Sequence, residues 1–290
     1  MTGRDRVQDP SPSYAGRVAA LATRHDKLPL IAPALAVVGL EVIVADVDTD
    51  VFGTFTGEIP RRADAVVTAE RKARAAMAAS GADAGLGSEG SFGPHPDVPW
   101  LTVDLELVLL VDERLEVVVY EQALATDTAA ASMTVSADSD GEELEQFCRR
   151  VGFPDQALIC RPADGTTAQI SKAVVTSGAL REAFRRAAGA SSDGRAIVET
   201  DLRAHLCPTR RPVINQAAVR LASRLTRRCP SCTLPGFGHT TFEPGLPCRL
   251  CGLPTTQPGA RIESCPACLH QDRHPILGSA DAAGCSYCNP

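Results

Sequence analysis

The stretch GLGSEGSFGPHP, Gly85 to Pro96, decides how this chain is read. Gly85, Gly87 and Gly90 fit the G-x-G-x-x-G pattern of dinucleotide sites. That pattern works only where it leaves a strand and opens a helix whose N-terminus holds a pyrophosphate. Here the order is reversed. A helical segment precedes the glycines, and Ser91 to Pro99, with three prolines and one glycine, cannot begin a helix. The glycines therefore belong to a strand, Gly85 to Glu89, which follows a helix and ends at an acid.

Working outward, Arg17–Thr23 (RVAALAT) has the short apolar run of a buried strand, and the apolar Lys27–Val38 is expected to be helical despite Pro29 and Pro33. Glu41–Val47 is a second strand. Ala63–Ser80 is an alanine-rich helix with Val66, Ala69, Ala73, Ala76 and Met77 on one side, and Gly81 ends it. Leu101–Asp112 alternates and then becomes continuously apolar, as a central strand does, and pairs with Glu116–Glu121 as a hairpin. Further on come a helix at Glu142–Val151, a strand at Ala157–Cys160, a helix near Gly178–Ala188 and a strand at Arg195–Thr200. The alternation gives the fold class: α/β, a mixed sheet flanked by helices, with a C-terminal zinc-ribbon region. The expected organisation is a disordered tail at 1–16, an α/β domain at 17–200, a basic linker helix at 201–228 and two zinc ribbons at 229–290.

Composition narrows the function. Of 290 residues, 44% are hydrophobic and 22% charged, as in a globular protein. A formal net charge of −6 does not suit a general nucleic-acid binder. No apolar run spans a bilayer, and MTGRDRVQDPSPSY has no signal-peptide core. The expected location is the cytoplasm, where eleven cysteines argue for metal binding over disulfides. Heavy use of Arg, Ala and Gly suggests a GC-rich bacterial genome. Against that bias only three lysines occur, Lys27, Lys72 and Lys172.

Basic charge gathers between Leu202 and Arg228, where there are seven arginines and no acids. A helix from Pro212 would carry Ile214, Ala218, Leu221 and Leu225 on one stripe and Arg220, Arg224, Arg227 and Arg228 on its neighbour.

The cysteine tail carries the most specific motif. Cys229-x-x-Cys232, fifteen residues, then Cys248-x-x-Cys251 fits four-thiolate zinc spacing, and Cys265-x-x-Cys268, sixteen residues, then Cys285-x-x-Cys288 fits it again. Each C-x-x-C turn aims two thiolates at one ion, and two turns complete the tetrahedral shell of Zn²⁺. Gly252 allows the tight backbone after its pair. Sequential pairing needs the fewest assumptions, and a cross-braced arrangement stays open. Two structural zinc ions are implied, because full thiolate shells leave no open position. His239, His270 and His274 are expected in loops, and Cys148, Cys160 and Cys207 as buried thiols. Residues 229–290 carry three arginines against four acids, so the tail lacks the positive face that phosphate binding requires.

An acid at the end of a glycine-rich strand is placed to hold Mg²⁺ with substrate phosphates, or to satisfy turn amides. Segments FGTFTGEIPR, GLGSEGSFGPHPDVP, VETDLRAH and the C-terminal PC-x-x-CG tail are similar to an uncharacterised bacterial family, domain of unknown function 6671, which implies no activity. Residues 17–120 also resemble the house-cleaning pyrophosphatases that hydrolyse inosine and xanthosine triphosphates, through AT-RHDK after the first strand, AERKARAAM on the helix and GLGSEG. The chain departs from that family at His25 and Arg71, where asparagine is usual.

This second resemblance implies catalytic roles for Glu89, Glu70 and Lys27, with Glu89 and Glu70 or Glu58 on Mg²⁺. It implies phosphate contacts from Thr23, His25, Lys72, Thr54 and Thr56. The expected function is thus a Mg-dependent nucleoside triphosphate pyrophosphohydrolase-like protein, its partner a nucleotide or small phosphorylated ligand. The alternative is a non-catalytic ligand-, protein- or nucleic-acid-binding protein using the zinc ribbons, with nucleic acid the lesser possibility and no membrane association.

Overall fold

A computed structural model describes residues 14–52, 64–139, 141–167 and 169–289. Among the described residues, three sheets carry the fold. The first has the order β2-β1-β3-β4-β5, built from β1 (Arg17–Ala22), β2 (Leu40–Ala45), β3 (Ala84–Pro94), β4 (Thr102–Asp112) and β5 (Val117–Ala125). Strand β1 runs parallel to both β2 and β3, and β3, β4 and β5 are antiparallel. Helix α1 (Leu28–Ala36) leads from β1 to β2, and α2 (Ala65–Ser80) from β2 to β3. Ordered structure begins inside the stretch read as a tail: Tyr14 is fully buried and its N–H donates to the Val38 carbonyl.

Strand β3 is longer than its expected end at Glu89, because all eleven of its residues pair with β4, from Ala84↔Asp112 to Pro94↔Thr102. Its glycines serve packing. A methyl on Gly85 or Gly87 would overlap the carbonyl oxygens of Ala73 and Ala69, so α2 lies directly on bare backbone. Helix α2 starts where the Asp64 carboxylate accepts from Val66 N at 2.8 Å, and ends at Gly81 with φ +74°. Ala69, Ala73 and Met77 then bury against Leu107, Leu109 and Val111 of β4.

The region expected to form one domain with this sheet contains a second one. Strands β6 (Ser132–Ser136), β7 (Leu158–Pro162), β8 (Ser171–Val174) and β9 (Arg195–Thr200) form an antiparallel sheet of order β6-β9-β7-β8. Helices α3 (Glu142–Val151) and α4 (Ser177–Ala190) supply Phe147, Leu180, Ala183 and Ala187 to its separate core. Cys160 is buried there and Cys148 half-buried.

The basic helix forms as α5 (Arg210–Thr226), but it does not bridge open solvent. Its apolar stripe Ile214, Ala218, Leu221 and Leu225 is fully buried beside Leu21, Ile31, Leu86, Val108 and Val119, so α5 and α1 cover one face of the first sheet and α2 the other. Asn215 Nδ2 donates to the Leu30 carbonyl and fixes the two helices to each other. The third sheet, β10-β11-β12, comprises β10 (His239–Pro244), β11 (Pro258–Ser264) and β12 (Gln271–Pro275). His239 and His274 therefore lie in strands, not loops, and His270 stands next to β12. No described helix is long and apolar enough to cross a membrane.

Candidate functional site

The first sheet reverses its direction of winding at β1: the connection through α1 leads to β2 on one side, and that through α2 to β3 on the other. Such a switch point opens a crevice beyond the carboxyl ends of the two parallel strands, where ligands of α/β sheets bind. Here β1 pairs with β3 at Ala20↔Gly85 and Leu21↔Leu86 and ends at Ala22, so Ser88 and Glu89 run past its end. The turn Thr23–Lys27 leads from β1 to α1 on the other wall.

Side chains alternate along β3 and divide the crevice between the two faces of the sheet. Glu89 shares the glycine face and is ion-paired with Lys72 of α2. Ser88 and Gly90 are on the opposite face. Lys27 Nζ donates to Ser88 Oγ at 3.0 Å and approaches its carbonyl at 3.5 Å. Beside them on β4 stand Asp104 and Glu106, both almost fully buried, and Arg210 of α5 clasps the Glu106 carboxylate. Arg210 Nη1 also donates to the Leu202 carbonyl, which ties the segment leaving β9 to this site.

This placement sorts the expected residues. Lys27, Lys72 and Glu89 are brought to one crevice. Glu70 is not brought to Glu89: two residues before Lys72 on α2, it lies about 200° around the helix and is held by Arg74 at 2.7 Å. Thr23 Oγ1 accepts from His25 N at 3.3 Å within the turn. The His25 ring stacks on His205 with centroids 5.4 Å apart. Burial, then the charge of Lys27, lowers the His25 pKa to about 3, so the ring is neutral. Thr54, Thr56 and Glu58 lie outside the described residues.

The structure adds Ser88, Asp104, Glu106, Arg203, His205 and Arg210. Two acids in the otherwise apolar run LTVDLELVLL were the available signal for Asp104 and Glu106. Burial, then the charge of Glu106, raises Asp104 to about 7. Burial, then the charge of Arg210, lowers Lys27 to about 7. Arg203 forks onto the buried Asp201 carboxylate. A cleft of about 620 Å³ opens nearby between the first two sheets, lined by Phe92, Thr102, Ser132, Thr200 and Asp201 among others.

The tail gathers eight thiols into two groups, and the pairing is interleaved. Cys229, Cys232, Cys265 and Cys268 form one, and Cys248, Cys251, Cys285 and Cys288 the other. Sequential pairing is thereby corrected to a cross-brace. The cause is the sheet: the first and second C-x-x-C turns flank β10, whose six residues span about 20 Å, so they sit at opposite ends. Antiparallel pairing of His239 with Ser264 brings the third turn to the first, and pairing of Pro244 with Pro258 leaves the second beside the end that the fourth approaches.

Sulfur contacts of 3.6, 3.7, 3.7 and 3.9 Å match the edge of about 3.8 Å that a tetrahedron of ~2.3 Å Zn–S bonds requires. The N–H groups of Ser231, Leu250 and Ala267 donate to Cys229, Cys248 and Cys265 Sγ at 3.4 Å, stabilising thiolates. Thr233, Gly252 and Leu269, each directly after its C-x-x-C pair, take φ of +65°, +75° and +61°, so the tight turn expected at Gly252 recurs without glycine. All eleven cysteines are free of disulfides.

The chain belongs to the family described as Domain of unknown function (DUF6671), which matches residues 72–290. That span contains Lys72, Ser88, Glu89, Asp104, Glu106, Arg210 and all eight tail cysteines, and the turn Thr23–Lys27 precedes it. No curated protein and no solved structure matches the chain, so the likeness to inosine and xanthosine triphosphate pyrophosphatases stays with the quoted motifs.

Proposed function

We propose that this DUF6671 protein is a Mg-dependent nucleoside triphosphate pyrophosphohydrolase-like protein, acting at the crevice where β1 and β3 diverge, with zinc in both thiol groups as structural staples. The convergence of Lys27, Lys72 and Glu89 at a switch point is the observation that supports it. Mg²⁺ commonly takes one or two carboxylates and completes its shell with water and substrate phosphate, so Glu89 fits the smallest such set. Bound there, the metal would supply charge neutralisation and an oriented water.

The protein's own part is to exchange one ion pair for another. Lys72 would turn from Glu89 to a phosphate oxygen, freeing the carboxylate while no charge is left alone in the buried crevice. Lys27 contributes a second donor, and the neutral His25 ring offers a flat wall. Pyrophosphate release from a panel of triphosphates with Mg²⁺, compared between wild type and Glu89→Gln, tests this. Turnover reduced at least ~100-fold in the variant is expected. Absence of turnover on every triphosphate, or full activity in Glu89→Gln, overturns it.

A second reading, a non-catalytic receptor for a phosphorylated ligand, is favoured by the closed Lys72–Glu89 pair. Calorimetric binding of a triphosphate without turnover would select it. Of the basic stripe, Arg224 is buried and donates to the Gly236 and Tyr120 carbonyls, so it adds nothing to a phosphate-binding face.

A further inference from the structure

A second cleft, of about 420 Å³, lies where the edge strand β5 meets the cysteine-rich tail, and it shares no lining residue with the crevice. Its walls are Leu105 of β4, Tyr120 and Leu124 of β5, Arg220 of α5, His239 of β10 and Pro96 of the β3–β4 connection. Leu105 and Leu124 are cross-strand partners, and Tyr120 stands four residues before Leu124, so the three share one face as an apolar floor. Arg220 Nη1 donates to the Gln122 carbonyl at 2.7 Å, which holds the guanidinium at the edge of β5. The Nε–Nη2 edge of Arg220 has no partner among the described residues. It is the edge with which Arg161, Arg203 and Arg273 fork onto Glu199, Asp201 and Glu243. His239 Nδ1 lies 3.4 Å from Arg224 Nη1, and a guanidinium only donates, so Nδ1 accepts and the neutral ring carries its proton on Nε2. Burial, then the Arg224 charge, lowers the His239 pKa, in keeping with that neutral ring. The Nε2–H also has no partner among the described residues. The one acid of the lining, Glu121, is held by Arg224 at 3.2 Å.

We infer that this cleft binds a small carboxylic acid with an apolar tail, its carboxylate forked by the Nε–Nη2 edge of Arg220 and joined by the His239 Nε2–H, its tail laid on Leu105, Tyr120 and Leu124. The planar fork of a guanidinium matches a carboxylate in two parallel hydrogen bonds, and the volume falls in the range of small-molecule sites, about 300–1,000 Å³. A triphosphate would bring several negative charges to one available cation, with Glu121 beside it, whereas a monocarboxylate brings a single charge. The floor belongs to the first sheet and His239 to the tail, so the site is complete only when the tail is docked on the sheet. Occupancy of this cleft is independent of triphosphate hydrolysis, and its test does not use a nucleotide.

The test is isothermal titration calorimetry of the full-length, zinc-loaded protein with octanoate, with octanamide as its uncharged counterpart and acetate as its tail-less one. One octanoate per chain is expected. Octanamide should bind at least ~10-fold more weakly, because the charge-assisted fork is lost, and acetate at least ~100-fold more weakly, because the buried methylenes are lost. Arg220→Ala should weaken octanoate at least ~10-fold, and His239→Phe, which keeps a ring against Tyr120, about threefold or more. Two zinc ions per chain report folding of each variant. A readout on wild type alone is photo-crosslinking by octanoate that carries a diazirine near its methyl end, which should mark the peptides holding Leu105 or Leu124. Absence of octanoate binding, equal affinity for octanamide, unchanged affinity in either folded variant, or crosslinks elsewhere only overturns the site and leaves the triphosphate proposal where it stood.

Discussion

Asp104 and Glu106 stand two residues apart on one face of β4, under α5, and only one of them is matched by Arg210. Burial and the neighbouring Glu106 charge push Asp104 up, so its neutral acid is the folded form favoured below neutrality. The sign follows from linkage. An acid whose folded pKa is raised stabilises the fold below its unfolded value near 4, and that contribution is lost as pH rises to about 7. Asp104→Asn cannot ionise, so its melting temperature relative to wild type should shift in its favour between pH 5 and pH 8. Thermal melts at both pH values check this; the absence of any such shift would mean that Asp104 is an ordinary carboxylate. Sequence alone marked Lys27, Lys72 and Glu89 but passed over Ser88, since nothing local says that a lysine sixty-one residues away reaches its hydroxyl.

At the scale of elements, the C-x-x-C turns were legible and their pairing was not. A turn is local chemistry, whereas its partner depends on which end of β10 it occupies. Paired substitutions separate the topologies. In the cross-brace, Cys232→Ser with Cys268→Ser damages one site, and native mass spectrometry should find one zinc retained. Cys232→Ser with Cys251→Ser touches both sites and should leave none. Sequential ribbons would give the opposite pattern. The helix expected as a linker shows the same division: its length and apolar stripe followed from periodicity, but the layer it covers did not. The stripe that looked like a basic surface is also divided by packing, with Arg224 buried and Arg220 exposed.

For the whole molecule, Arg224 is the junction of three parts. It donates to the Gly236 carbonyl of the cysteine-rich tail and to the Tyr120 carbonyl and Glu121 carboxylate of β5, while belonging to α5. Beside it, Arg227 forks onto Glu263 of β11, and Gly236 packs against Val119. The tail is therefore docked on the first sheet. Arg224→Met leaves two carbonyls and a carboxylate without this donor and should cost about 3 kcal/mol or more in urea unfolding. Arg220→Ala removes an exposed contact on the same helix and should cost under about 1 kcal/mol. Equal, small effects would place the tail apart from the sheet.

The sequence by itself determined the alternation of strands and helices, a glycine-rich strand that carries an acid, and the four cysteine turns. Each depends on residues within one element, where periodicity, turn chemistry and ligand spacing act locally. Tertiary structure alone decided that there are two α/β-region sheets among the described residues, that α5 closes the first, that Glu70 turns away from Glu89 and that the cysteine turns interleave. These are matters of which surfaces meet. A glycine without a side chain, a buried amine beside a hydroxyl and a strand that separates two turns acquire meaning only when distant segments are packed together.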